Sequence, residues 1–248
     1  MIVAILSLIS VLFAVFFVRT DSALAARGGR GAGISGDHGF SVGASIIGTD
    51  QKDINTAIAT ANTSATGPIS SSNLSSAYEF YAQYAFRFSG SMFALLFRPS
   101  YFMQNSTGSG TDGDYNYKLS GYTFFPMLRV YPLESAFMKF FLHVGVGWGQ
   151  VSADLTTGTG NTLTFSGSNL GEMAGLGVDF CFTGSHCLTI EGNVRYLPIE
   201  RNVASGASGT IVGVDNPISK GNEVEKNAMD LSTTLSGIQG VLAYTFNF

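Results

Sequence analysis

The chain offers little with which to do covalent chemistry. A hydrolytic site needs a nucleophile with a base oriented beside it, and three histidines are present to supply the base. His38 precedes the first regular segment, His186 falls in a short turn, and only His143 lies on a segment that reads as a strand. Two residues beyond it stands Gly145 rather than a serine, so His143 is expected to hydrogen-bond in the interior rather than act as a triad base. Asp154 and Glu172 could reach one level of the molecule, but no histidine accompanies them. Arg27-Gly28-Gly29-Arg30-Gly31 lacks the Lys-Ser/Thr and following helix of a phosphate loop, and Gly145-x-Gly147 lacks the helix of a dinucleotide fingerprint. No His, Cys, Asp and Glu spacing matches a metal site. Neither metal nor cofactor is expected, and the chain is expected not to be an enzyme. The N-x-S/T triplets at Asn62, Asn73 and Asn105 read as chance. Cys181 and Cys187 flank the turn-like Thr183-Gly184-Ser185 and are expected to form a disulfide in an oxidising compartment, two buried thiols being the alternative.

Composition narrows the class. Charged residues make up 12% of the chain, about half the usual share, while the apolar fraction is an ordinary 45%. Gly, Ser, Thr and Asn replace the missing charge, a balance that suits strands better than a helical bundle. A net charge of −4 leaves no footprint for nucleic acid. Ile2 to Val18 is almost wholly apolar and is followed by Ala23-Leu24-Ala25, the small-x-small pattern of signal-peptidase cleavage. Residues 1–25 are therefore expected to be a signal peptide, cleaved after Ala25, although the start carries no Lys or Arg; an uncleaved anchor is the alternative. Residues 26–38 then form a flexible mature amino terminus and residues 39–248 the folded part.

Within that part, eight segments alternate in hydrophobicity, the signature of strands with two unlike faces. The clearest sets Tyr78, Phe80, Ala82, Tyr84 and Phe86 against Glu79, Tyr81, Gln83, Ala85 and Arg87. The others run over Phe40–Ile46, Phe93–Gln104, Tyr115–Tyr131, Phe140–Trp148, Ala174–Cys181, Leu188–Tyr196 and Ile238–Phe248. In the fourth the phase slips near Phe124-Phe125, which suggests a bulge or burial on both sides. Connections alternate in length. Thr49–Ser76, Asn105–Asp114, Ser152–Ser168 and Arg201–Asp230 are long, whereas those around Ser89–Ser91, Pro132–Ala136 and Thr183–His186 are short.

An all-β, up-and-down, antiparallel transmembrane barrel of about eight strands sorts its loops this way, with both termini and the short turns on one side. Eight strands leave an interior just wide enough for side chains to fill. The inward set is expected to hold Glu79, Arg87, Arg98, Lys118, Asp179, Glu191 and Arg195 as an ion-pair network with no open pore. The inward Gly145, Gly147 and Gly149 would make room for bulk from neighbouring strands. Tyr78, Phe88, Tyr101, Tyr115, Tyr131, Tyr196 and Phe248 are expected at the membrane interfaces.

Lys139–Gly147, Glu191–Tyr196 and Gly240–Phe248 together resemble the small outer-membrane β-barrel proteins of the eight-stranded OmpA, OmpW and opacity type, over roughly residues 39–248. In that family a carboxyl-terminal strand of alternating aromatics, here Tyr244, Phe246 and Phe248, is the signal read by the barrel-assembly machinery. The resemblance implies export, periplasmic chaperoning and insertion among outer-membrane lipids, but no single activity. The expected role is structural, with long outer loops contacting unknown ligands. The alternative is a narrow channel or carrier for small hydrophobic molecules, with an outer-membrane hydrolase and a soluble β-sandwich behind it.

Overall fold

The computed structural model describes residues 38–64, 69–88, 90–111, 113–158 and 160–248. The expected leader and flexible amino terminus lie outside these, apart from His38, which begins the first strand. In chain order the elements are β1 (His38–Gly48), α1 (Lys52–Ser64), β2 (Ser76–Arg87), β3 (Phe93–Gly110), β4 (Gly113–Glu134), β5 (Met138–Thr157), β6 (Asn161–Cys181) and β7 (His186–Tyr196). They continue with β8 (Pro198–Ile199), β9 (Val203–Ser208), β10 (Glu225–Lys226), β11 (Met229–Asp230), β12 (Thr233–Thr234) and β13 (Gly237–Asn247).

Strands β1 to β6 each pair antiparallel with the next, and β13 pairs with both β7 and β1, so eight strands form a closed ring. At the seam His38 and Phe248 exchange backbone hydrogen bonds of 3.3 and 3.0 Å. Closure matters because the ring's outer face is apolar. Along β5 the outward side chains are Met138, Phe140, Leu142, Val144, Val146 and Trp148, and Phe40, Val42, Phe80, Leu176 and Leu242 continue that belt on other strands. Such a surface belongs in hydrocarbon, where an unpaired N–H or C=O at an open edge would cost several kcal/mol. His38, Phe248 and the strand ends Arg87 and Phe93, Glu134 and Met138, and Cys181 and His186 share one rim, called the near rim below.

The far side departs from expectation. Asn105–Asp114 and Ser152–Ser168 are not long loops, because β3 runs on to meet β4 with Gly110 opposite Gly113, and β5 meets β6 with Thr157 opposite Asn161. β5 and β6 hold 20 and 21 residues, about 65–70 Å of extended chain, whereas a tilted strand crosses hydrocarbon in about ten residues. The excess stands in water, and its alternation is reversed. Tyr115, Tyr117, Leu119, Val151, Ala153, Leu155, Leu163 and Phe165 point inward, while Asn116, Lys118, Ser152, Asp154, Thr162 and Thr164 point outward. Tyr115 is thus a core residue, not an interface residue. The phase slip expected at Phe124-Phe125 is absent too. Phe125 faces in, Phe124 faces out, and the register shift against β5 lies between Val130 and Leu133.

β1, β2, β7 and β13 stop short, so the far half of the ring is a tall wall facing a gap. Residues 49–64 and 69–75, together with those from 197 to 236, fill it. Ile54, Ala57, Ile58 and Ala61 recur at helical spacing and are 0–1% exposed, which makes α1 an amphipathic helix laid across the opening. Leu197, Ile199, Val224, Leu231 and Leu235 come from the second segment, and all join one apolar core with Phe102, Phe125 and the inward face of the tall wall. β9 extends the wall by pairing with β6.

Candidate functional site

The interior is layered, and the layers follow from which side chains each strand turns inward. Nearest the near rim, Arg87 pairs with Glu134 at 2.7 Å, its guanidinium lying 5.0 Å from the Tyr131 ring centre; Lys139 joins Glu134 at 3.6 Å. Cys181 and Cys187, cross-strand partners on β6 and β7, form a disulfide at the same level. Above them a chain of short hydrogen bonds runs along the inner wall over the neighbouring strands β6, β7, β13 and β1: Thr189 donates to Asp179 at 2.6 Å, and Thr189, Thr245 and Ser41 link at 2.9 and 2.8 Å.

The middle layer is the most heavily charged. Glu191 of β7 lies between Arg98 of β3, at 2.8 Å, and Arg129 of β4, at 2.9 Å. Arg98 also donates to the Gln83 side-chain oxygen at 2.6 and 2.8 Å and covers the Tyr81 ring at 4.3 Å, while Arg129 covers Phe141 at 3.8 Å. One step farther, Arg195 donates to Glu79 at 2.6 Å, and Gln239 bridges Glu79 to Ser45 at 3.0 and 2.7 Å. Opposed charges within hydrogen-bond distance are what make such desolvation tolerable. Glu79, Arg98, Asp179, Glu191 and Arg195 of the expected inward set therefore lie in the lumen, with Arg87 at its near mouth.

Lys118 does not. It stands outward on the far half of β4, because it and Arg129 are an odd number of residues apart and a strand without an intervening slip turns them to opposite faces. Arg129 and Lys139, which the inward set left out, are buried in the lumen instead. Counting in twos from Phe125 would have found Arg129.

Nothing in these layers assembles a nucleophile. His143 is buried and stacked on Phe141 with centroids 5.8 Å apart, and the polar side chain beside its ring is the Asn193 amide rather than a hydroxyl. Asp154 and Glu172 turn outward, opposite Thr164 and the exposed Val146. In the 197–236 segment the carboxylates of Glu223, Glu225 and Asp230 come within 4.8 Å of one another, a grouping their spacing did not suggest and one that exposed acids adopt without a metal as well.

Beyond the charged layer the lumen becomes apolar. The inward Gly145, Gly147 and Gly149 leave room for Met127, for the Phe125 ring, and for Leu197 with Leu235. The cap above is latched by Asp53 in the first turn of α1, which accepts hydrogen bonds from the Ser232 hydroxyl at 2.6 Å, its amide at 3.0 Å and the Lys226 ammonium at 3.3 Å. Burial pushes this carboxyl up, but the Ser232 and Lys226 bonds outweigh that and hold it below its ordinary value. A lowered carboxyl contributes fully above its unfolded-state value, and the contribution is lost as pH falls through the folded-state value. Limited proteolysis of the 197–236 segment should therefore show the cap loosening below about pH 4. Asp53→Asn should weaken the cap by about 1 kcal/mol near neutral pH and remove most of the acid step. An unchanged acid step in that variant would assign the loosening to other groups.

Tyr244, Phe246 and Phe248 lie on the outer face of the closing strand, with Tyr244 hydrogen-bonded to His186 and Phe246 stacked beside Phe248 at 5.8 Å.

No family model matches the chain, and no curated protein matches its sequence. Solved structures do share the fold. The outer membrane protein OprG from Pseudomonas aeruginosa aligns with a TM-score of 0.52 at 14% identity, over 86% of this chain and 96% of its own. A major outer membrane protein from Thermus thermophilus gives 0.52 at 13% identity, over 85% of this chain and 99% of its own.

Proposed function

Taking as premise that the chain has the fold of a small outer-membrane β-barrel, we propose that it is a closed, non-enzymatic anchor in the bacterial outer membrane whose folded cap makes contacts at the cell surface. The observation that carries this reading is the filling of the lumen from rim to rim. The Glu191 and Glu79 ion-pair layers block the middle, and α1 with the 197–236 segment packs the outer half. With the near rim in the periplasm, the cap stands outside and presents a folded surface rather than loose loops. Tyr244, Phe246 and Phe248 serve as the assembly signal, periplasmic chaperones deliver the chain, and outer-membrane lipids cover the apolar belt. No cofactor is needed. Planar-bilayer recordings on the folded chain should give no conductance steps; reproducible ohmic steps would refute a sealed anchor.

A second reading, carriage of small apolar molecules between the cap and the membrane, is favoured by one feature. Opposite β5, Phe125 and Pro126 of β4 lack register partners, consistent with the N–H that proline cannot supply. A shallow apolar groove of about 370 Å³ lies outside that seam, lined by Phe97, Pro126, Val144 and Val146, and the cap's apolar core lies inside it. Faster entry of an apolar fluorescent probe into vesicles that contain the barrel, without conductance, would favour this reading over the first.

A further inference from the structure

The outward face of the tall wall is as ordered as the inward one. Across β3, β4, β5, β6 and β9 the register aligns Thr107, Asn116, Thr156, Thr162 and Ser208 in one row, and Asn105, Lys118, Asp154, Thr164 and Gly206 in the next. Below them come Met103, Ser120, Ser152, Ser166 and Val203, then Tyr101, Tyr122, Gln150 and Ser168. The row after that, Pro99, Phe124, Trp148 and Leu170, belongs to the apolar belt. Polar rows thus begin one step above lipid and continue the lipid-facing wall without a break. Strands about 4.8 Å apart, with outward residues roughly 7 Å apart along each, set the hydroxyls and amides in a lattice.

The geometry points to this face as a docking surface for the neutral saccharide of the sugar-bearing lipids that border the barrel in the outer leaflet. This rests on the reading of the barrel as an outer-membrane anchor, and three observations select the ligand. The face carries one cation, Lys118, against two carboxylates, Asp154 opposite it on β5 and Asp114 farther up β4, so it has no excess positive charge with which to collect phosphates. It has hardly any apolar side chains beyond Met103 and Val203, so it lacks the apolar centre of an interface between protein copies. At its foot the Tyr101 and Tyr122 rings lie 5.0 Å apart, and Tyr122 is 63% exposed. That is an aromatic step on which the C–H face of a sugar ring can lie while its hydroxyls meet Gln150, Ser152 and Ser120. What borders the face is set by continuity: the molecules that cover Phe124, Trp148 and Leu170 with their acyl chains place their head groups against the rows above.

The test is calorimetric titration of the full chain, folded in phospholipid nanodiscs, with a neutral outer-core oligosaccharide of lipopolysaccharide, free of phosphate and of acidic sugars. Wild type should bind saturably, Tyr122→Ala about tenfold more weakly, and the double variant Thr156→Glu/Thr164→Glu not measurably. A control pair on the exposed side of α1, Thr56→Glu/Thr60→Glu, should bind like wild type, with gel mobility before and after boiling confirming that every variant is folded. No saturable binding by wild type would overturn the proposal. So would equal loss in the α1 control, binding of the phosphorylated oligosaccharide alone, or a self-associating wild type that the Glu pair makes monomeric. Conductance on the same samples keeps the two readings separable, since an open pore would refute the sealed anchor and leave the binding result standing.

Discussion

Glu191→Ala should destabilise the barrel by about 3–5 kcal/mol, the largest loss expected from any single lumen substitution. Glu191 is 3% exposed, and its carboxylate is the counter-charge of both Arg98 and Arg129, themselves 1% and 2% exposed. Removing it leaves two guanidinium groups facing each other in a water-poor lumen without their shared counter-charge. Reversible urea unfolding in lipid vesicles measures the loss, and the unboiled gel band should show reduced folded material. The double variant Glu191→Ala/Arg129→Met should recover part of the stability, because one of the two stranded charges goes with it. A single-variant loss under about 1 kcal/mol would mean that the layer is hydrated and contributes little.

Gly147→Val should be nearly as damaging, for a steric reason. A Cβ at Gly147 would come 2.5 Å from the Phe124 carbonyl oxygen and 2.5–2.6 Å from the Phe125 ring. The carbonyl belongs to the strand and cannot move far without breaking the ladder, so overpacking of about 3 kcal/mol is expected. Gly192→Val is the matched control. Gly192 faces outward with nothing within 4 Å of a built Cβ, so the added methyls should be neutral or slightly stabilising in lipid. Equal losses at both positions would point to the strand backbone rather than to the crowded lumen. Unfolding midpoints in the same vesicles separate the two outcomes.

The ring itself was legible because lipid outside and side chains inside impose a period of two, and Tyr78–Arg87 displays it without interruption. Legibility failed where the surroundings change along one strand. Tyr115, Tyr117 and Leu119 alternate with Asn116, Lys118 and Ser120 as strictly as the membrane segments do, but above the lipid it is the inner face that is apolar. An expectation built on apolar-outward strands read the neighbouring stretches, Asn105–Asp114 and Ser152–Ser168, as loops. The same oversight placed Lys118 in the lumen and required a slip at Phe124-Phe125; strict parity along β4 excludes Lys118 and admits Arg129. α1 was missed for a different reason. Its Thr and Asn content reads as loop, yet Ile54, Ala57, Ile58 and Ala61 already carry the helical spacing. The partners within the lumen were not legible at all. Glu191 meets Arg98 and Arg129 across the ring, over sequence separations of 93 and 62 residues, and only the closed register sets those distances.

The central claim is that the outward rows up to Phe124, Trp148 and Leu170 lie in lipid and the rows beyond them in water. The chain has one tryptophan, Trp148, 41% exposed on the last apolar row, so its fluorescence reports on that boundary alone. In vesicles, lipids brominated high on the acyl chain should quench Trp148 strongly, those brominated near the chain end weakly, and aqueous iodide hardly at all. Strong quenching by iodide, with none from the brominated lipids, would contradict the account and place this wall in water.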